Sequence, residues 1–188
     1  ANSFGDYNTA VGFRALYASG AGYNTATGYY ALLNNNTGQY NTAAGTYALA
    51  ANSSGFSNTA NGDYALRNST GQGNTAAGAS SLTTNTTGSF NTGVGYQANV
   101  SAGNLTNATA IGFSAAVDAS NKVRVGNTAV TSIGGQVGWT TFSDGRYKRN
   151  ITENVPGLSF INALRPVTYT VDIDGLNVYY KIAQQKYS

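Results

Sequence analysis

Tyr7, Tyr23, Tyr40 and Phe90 each stand immediately before an asparagine of one recurring phrase, Asn-Thr-Ala-x-Gly or a near variant of it. An aromatic face beside amide side chains suits carbohydrate, because the ring stacks on the apolar face of a sugar while amides bond its hydroxyls. These four are the candidate receptor-binding residues. Phe13, Tyr29, Tyr96 and Phe113 follow the repeat glycine and form a second such set. The rings also have a plainer use, covering the gaps between successive copies of the phrase. Single exposed aromatics are ordinary on protein surfaces.

Other chemistry finds little to work with. The chain has no Cys and no His, which removes disulfides, Cys/His zinc sites and any scheme that needs an imidazole or a thiolate. Up to Val117 the only charged residues are Asp6, Arg14, Asp63 and Arg67. Two acids on different copies of the repeat do not make the carboxylate pair of a polysaccharide-cleaving enzyme. Carboxylates this sparse leave calcium few ligands, so no metal and no cofactor is expected. The formal net charge is +3, but the basic residues gather late; the first two thirds cannot track a phosphate backbone, and no nucleic-acid partner is expected. Threonine recurs at Thr9, Thr25, Thr42, Thr59, Thr75 and Thr92, a single column where a flat ice-binding face would want paired ones.

The elements that carry these residues follow from the period. Asparagine recurs at Asn8, Asn24, Asn41, Asn58, Asn74 and Asn91, at spacings of 16 or 17, with Ala108 in its place in a seventh copy. Glycine keeps step at Gly12, Gly28, Gly45, Gly62, Gly78, Gly95 and Gly112, and leucine at Leu16, Leu32, Leu49, Leu66 and Leu82. So regular a period marks a repeat architecture. One period holds two short strands and two turns, a single coil of a β-solenoid. Asparagine favours turns, and stacked asparagines can bond from coil to coil in a ladder. Glycine, asparagine and threonine at this density disfavour helix. Charged residues are only 9% of the 188, yet 14 tyrosines make an ordered chain the expectation rather than a disordered one.

A coil with alanine and one leucine inside encloses a small apolar area, which at about 25 cal/mol per Å² struggles against the entropy of ordering it. The leucines and alanines are therefore expected to seal against other chains as well, in a homotrimer about a three-fold axis. Seven coils spaced roughly 4.8 Å apart make a rod on the order of 35 Å long.

The phrases "NTAVGFRAL", "NTATGYYAL", "NTAAGTYAL" and "NTANGDYAL" resemble the head repeats of trimeric autotransporter adhesins of the YadA type, over roughly residues 4–117. The resemblance implies a left-handed parallel β-roll of three chains wound side by side.

Near Val117 the composition shifts. "NKVRVGNTAVTSIGG" (121–135) alternates apolar and polar residues and reads as strands, a β neck or connector over 118–142. Trp139 and Phe142 serve there as core filler. "SDGRYKRNI" (143–151) with "LSFINALRPVTY" (158–169) resembles the start of the chaperone-of-endosialidase domain, found at the C-terminus of phage tail fibres and of many bacterial surface proteins. Pro156 suits a first helical turn, with Leu158, Ile161 and Leu164 on one face, and "VTYTV" alternates as a strand. Residues 143–188 are thus expected to be a small, incomplete α+β segment.

That resemblance implies a trimerisation chaperone which in many members cuts itself with a serine–lysine dyad, here matched by Ser143 and Lys148. A lysine whose pKa is lowered by burial or by cations such as Arg146 and Arg149 can take the serine proton. The cut would fall at Phe142–Ser143, once per chain, so no turnover of an external substrate is expected. In the plainer alternative, Ser143 and Asp144 cap a helix. The reading as a whole is a mainly β, trimeric, extracellular fibre or adhesin head, on a bacterial surface or a phage-like particle. It attaches to a cell-surface receptor, with carbohydrate the candidate, and has no membrane insertion in this segment. The alternative is a purely structural fibre spacer.

Overall fold

The computed structural model describes residues 5–136. Ten short strands run along them: β1 (Thr9–Val11), β2 (Thr25–Thr27), β3 (Thr42–Ala44), β4 (Thr59–Asn61), β5 (Thr75–Ala77), β6 (Thr92–Val94), β7 (Asn99–Val100), β8 (Thr109–Ile111), β9 (Ala116–Val117) and β10 (Val123–Val125). Eight of them form one parallel sheet in the order β1-β2-β3-β4-β5-β6-β8-β10, and β7 pairs with β9 in a second. Threonine stacks on threonine and alanine on alanine from rung to rung, as in Thr25↔Thr42 and Ala26↔Ala43. Parallel neighbours one period apart mean one turn of chain per copy. The architecture is a mainly β solenoid of about seven turns, with no helix among the described residues.

The asparagine ladder forms and runs without a break. Each asparagine's Oδ1 accepts the backbone N–H of its counterpart one coil on: Asn24 to Asn8 at 2.8 Å, Asn41 to Asn24 at 3.0 Å, Asn58 to Asn41 at 3.0 Å, Asn74 to Asn58 at 2.9 Å and Asn91 to Asn74 at 2.9 Å. Its Nδ2 donates to a carbonyl of that next coil, as from Asn41 to Gly55 at 2.8 Å. The substituted seventh position fits the same scheme: Ala108 still offers its N–H to Asn91 Oδ1 at 2.9 Å and only the onward bonds are lost. A second buried column, Asn35, Asn52, Ser69 and Asn85, lies eleven residues after the first by position in the coil and was not anticipated. Asn52 Nδ2 donates to Asn35 Oδ1 at 3.0 Å within it.

The corners are the other surprise. The residues before the ladder asparagines, the residues six after them and the leucines all have positive φ: Tyr40 59°, Tyr47 56° and Leu49 51° in a single coil. Bulky residues avoid this region at a cost of roughly 1–2 kcal/mol each. At the leucines the left-handed corner places the side chain inside the coil, and fully burying a leucine returns about 1.5–3 kcal/mol. Burial therefore outweighs strain. Where Asn99 and Ala116 replace the leucine, the corner opens into β7 and β9, and Val100 and Val117 fill the core. The glycine after each of β1 to β6 is fixed by a close approach: a Cβ built on Gly28 would lie 2.5 Å from the carbonyl oxygen of Gly45, the corresponding residue one coil on.

Two expectations change. The leucines and alanines lie inside the coil as expected, but they leave nothing to seal against other chains as well: Leu16, Leu32, Leu49, Leu66 and Leu82 are completely buried within one chain, as are Ala26, Ala43, Ala60 and Ala76. Inward-turned corners and tight rung stacking close the core without a partner. The large apolar side chains exposed on the outer side of the main sheet are Val11, Val94, Ile111, Val123 and Val125. Second, the main sheet runs on past residue 117: β10, in the stretch read as strands, adds an eighth rung against β8. Val130 and Ile133, read as part of a strand, lie exposed and outside any strand.

Candidate functional site

The predicted receptor residues Tyr7, Tyr23 and Tyr40 come together. All three sit at left-handed corners directly above one another, their rings stacked at 4.9 Å and 5.1 Å between centroids with interplanar angles of 15° and 20°. Ring faces are thus turned toward each other along the column. Tyr23, the middle ring, offers mainly its edge and hydroxyl; free faces occur at the ends. Phe90 does not join them. Ser57 and Gly73 take the intervening places, and the Phe90 ring lies over Gly73, where an added Cβ would meet its Cδ1 at 2.7 Å. The four predicted residues make a trio and an outlier.

The second aromatic set divides in the same way. Phe13 stacks on Tyr29 at 5.5 Å and Tyr96 on Phe113 at 5.9 Å, four coils further along. Phe13 and Tyr29 belong to a larger cluster. Tyr30, Tyr47 and Tyr64, at the corners six residues after the ladder asparagine, stack with successive centroids 5.2 Å apart. Tyr29 packs edge-on against Tyr30 at 4.1 Å and against Tyr47 at 5.6 Å. Its phenol pKa is pushed up to about 12, first by hydrogen bonding with Tyr30, then by desolvation and by the neighbouring phenols. Because the folded-state value is raised, Tyr29 stays neutral as pH climbs past the ordinary tyrosine range.

Both cations that precede Val117 lie on this cluster. The Arg14 guanidinium carbon is 4.9 Å from the Tyr17 ring centroid, 5.4 Å from Phe13 and 5.8 Å from Tyr30, and Arg14 Nη1 donates to the Tyr30 hydroxyl at 3.5 Å. Arg67 lies over Tyr64 at 5.0 Å and Tyr47 at 5.3 Å. Among the described residues neither arginine has an ionic partner; the one ion pair there is Lys122–Asp118 at 2.7 Å, whose lysine hydrogen bond holds the Asp118 carboxyl below its usual range. The readable signal for the cluster was aromatic identity at one repeat position through three successive coils, Tyr30, Tyr47 and Tyr64, with an arginine beside each end.

The outer side of the main sheet carries the threonine column Thr9 to Thr109 in register. Its companion column is mixed: Val11, Thr27, Ala44, Asn61, Ala77, Val94 and Ile111. It lacks the doubled threonine order of an ice-matching face. Ser143 and Lys148, with Phe142, Arg146 and Arg149, lie outside the described residues, as do the expected helix after Pro156 and the strand "VTYTV". No helix among the described residues is long and apolar enough to cross a membrane. No protein-family model, no curated protein and no solved structure matches the chain.

Proposed function

We propose that this chain is the head of a homotrimeric extracellular fibre that attaches to a cell surface, with carbohydrate as the receptor class. In this reading the solenoid is one strand of a left-handed three-chain β-roll, on a bacterial surface or a phage-like particle. A β neck leads from it to a trimerisation chaperone that cuts itself once next to Ser143, with Lys148 as base. The observation that carries attachment is the pairing of an in-register, nearly charge-free stack with two short runs of stacked aromatic rings, the exposed Tyr7, Tyr23 and Tyr40 and the partly exposed Tyr30, Tyr47 and Tyr64. Phenol edges and hydroxyls aligned rung by rung suit a repeating, hydroxyl-rich ligand.

A second reading is favoured by the same stacks: rings that cover one another stabilise left-handed corners and need bind nothing, which makes the rod a spacer. Binding of the purified protein to whole cells and to a glycan array separates the two. Attachment that weakens when exposed tyrosines are replaced by alanine is the expected result, and silence on every surface leaves the spacer. The mass of the denatured chain reports the cut: breakage at Phe142–Ser143 is expected, stopping in Ser143→Ala and in Lys148→Ala. Continued breakage in either variant overturns the dyad.

A further inference from the structure

We infer that the arginine–tyrosine corner of the first four coils is a binding site for an extended acidic polysaccharide, one whose sugars carry carboxylates. The inference rests on the attachment reading and assigns it a site away from the Tyr7–Tyr23–Tyr40 column. In a stretch with almost no charge, both cations converge on one aromatic stack, Arg14 from the first coil and Arg67 from the fourth. The Arg14 guanidinium bridges the first and second coils and that of Arg67 the third and fourth, so about two rungs separate them, on the order of 10 Å along the stack at the parallel-strand spacing. The stack on which both rest is that of Tyr30, Tyr47 and Tyr64, each ring less than half exposed but ending in a hydroxyl.

The chemistry of the site selects the ligand. Guanidinium groups resting on ring faces are held in place, so less rotamer freedom is lost when they bind. A guanidinium presents a planar donor fork, and a carboxylate is its planar, bidentate complement. Phenol hydroxyls in a straight row give donors and acceptors to the sugar hydroxyls between two carboxylates. A single-stranded nucleic acid fits poorly. Its bases need open ring faces, and here rings and guanidiniums already cover one another; its backbone needs a charge at every step, and this corner offers two, with Asp63 beside Tyr64.

The test uses the full chain in affinity electrophoresis and calorimetry with polygalacturonate, the same polymer fully methyl-esterified, and oligo(dT). The free-acid polymer should bind and the neutral ester should not. Arg14→Gln together with Arg67→Gln should weaken binding by about tenfold or more, and the paired Lys variants, which keep charge without the fork, should fall between. Tyr47→Phe, which keeps the ring and removes the hydroxyl, should also weaken it. Circular dichroism and thermal melting that match the parent chain keep these comparisons valid, since both arginines are exposed. Equal binding to the ester, indifference to the arginine variants, or tighter binding of oligo(dT) would each overturn the inference. Attachment to cells or neutral glycans that persists in the arginine variants would overturn it while leaving the attachment reading standing.

Discussion

At the residue scale the solenoid is built on amides that bond between coils. Each ladder asparagine accepts one backbone N–H and donates to one carbonyl of the following coil, so the buried polar groups of the turn are answered by a neighbour of the same type. The second column shows what happens when the type changes. Asn52 Oδ1 is buried with no partner, and the residue in line with it one coil on is Ser69, whose side chain is too short to reach. A buried acceptor left unpaired costs about 1–3 kcal/mol. Ser69→Asn would place an amide there that donates to Asn52 Oδ1, as Asn52 itself does to Asn35 at 3.0 Å. The expected gain is about 1 kcal/mol of stability, read from denaturant unfolding. Loss of stability would mean that the shorter residue is needed for space.

At the element scale, a coil is held by the conflict between its corners and its core. Leu49 adopts a φ of 51° that its side chain disfavours, and it is retained because the corner turns the leucine inward to full burial. Leu49→Ala should therefore lose about 2–5 kcal/mol, offset only slightly by an easier fit to that backbone. Gly45→Ala tests the other constraint. At a φ of 138° and against the carbonyl of Gly62, an added Cβ must push coils apart, and a loss at least as large as that for leucine is expected in thermal unfolding. A mild effect at Gly45 with a severe one at Leu49 would show that core burial alone sets the rung spacing.

At the scale of the whole molecule, the single chain closes its own leucine and alanine core, so the case for three chains has to rest on what remains outside. The main sheet presents threonines flanked by Val11, Val94, Ile111 and Val125, a surface with little charge. In the trimeric reading this is the face that three chains share, since it joins low charge to exposed apolar side chains on its first rung and on its last three, Val94, Ile111 and Val125. Native mass should report a trimer. Ile111→Glu should shift it toward the single chain while the circular dichroism holds, because a charge there is tolerated in water and not in a sealed interface. A native mass equal to one chain for the parent protein would remove the trimer.

The sequence by itself determined the period, the mainly β class, the stacking of like on like and the asparagine ladder. In-register stacking writes its own signature, since a group that bonds to its copy must recur at the same place in every coil. The glycine column was legible for the same reason. Phe90's separation from the tyrosines was partly legible too, because Ser57 and Gly73 hold the intervening places. Only the tertiary structure decided which way the corners turn. Positive φ at tyrosine and leucine leaves no mark on residue type, yet it is what lets Leu32 and Leu49, expected inside the coil, be buried completely by their own chain. Nor does a repeat position reveal which columns meet across a turn. Tyr29, Tyr47 and Arg67 occupy three different repeat positions, yet Tyr29 and Arg67 both pack against Tyr47, because the turn geometry brings neighbouring columns within reach of one another. The strand at Val123–Val125 was legible in its alternation, but its place as an eighth rung was not, because backbone pairing extends the sheet after the side-chain motif has ended.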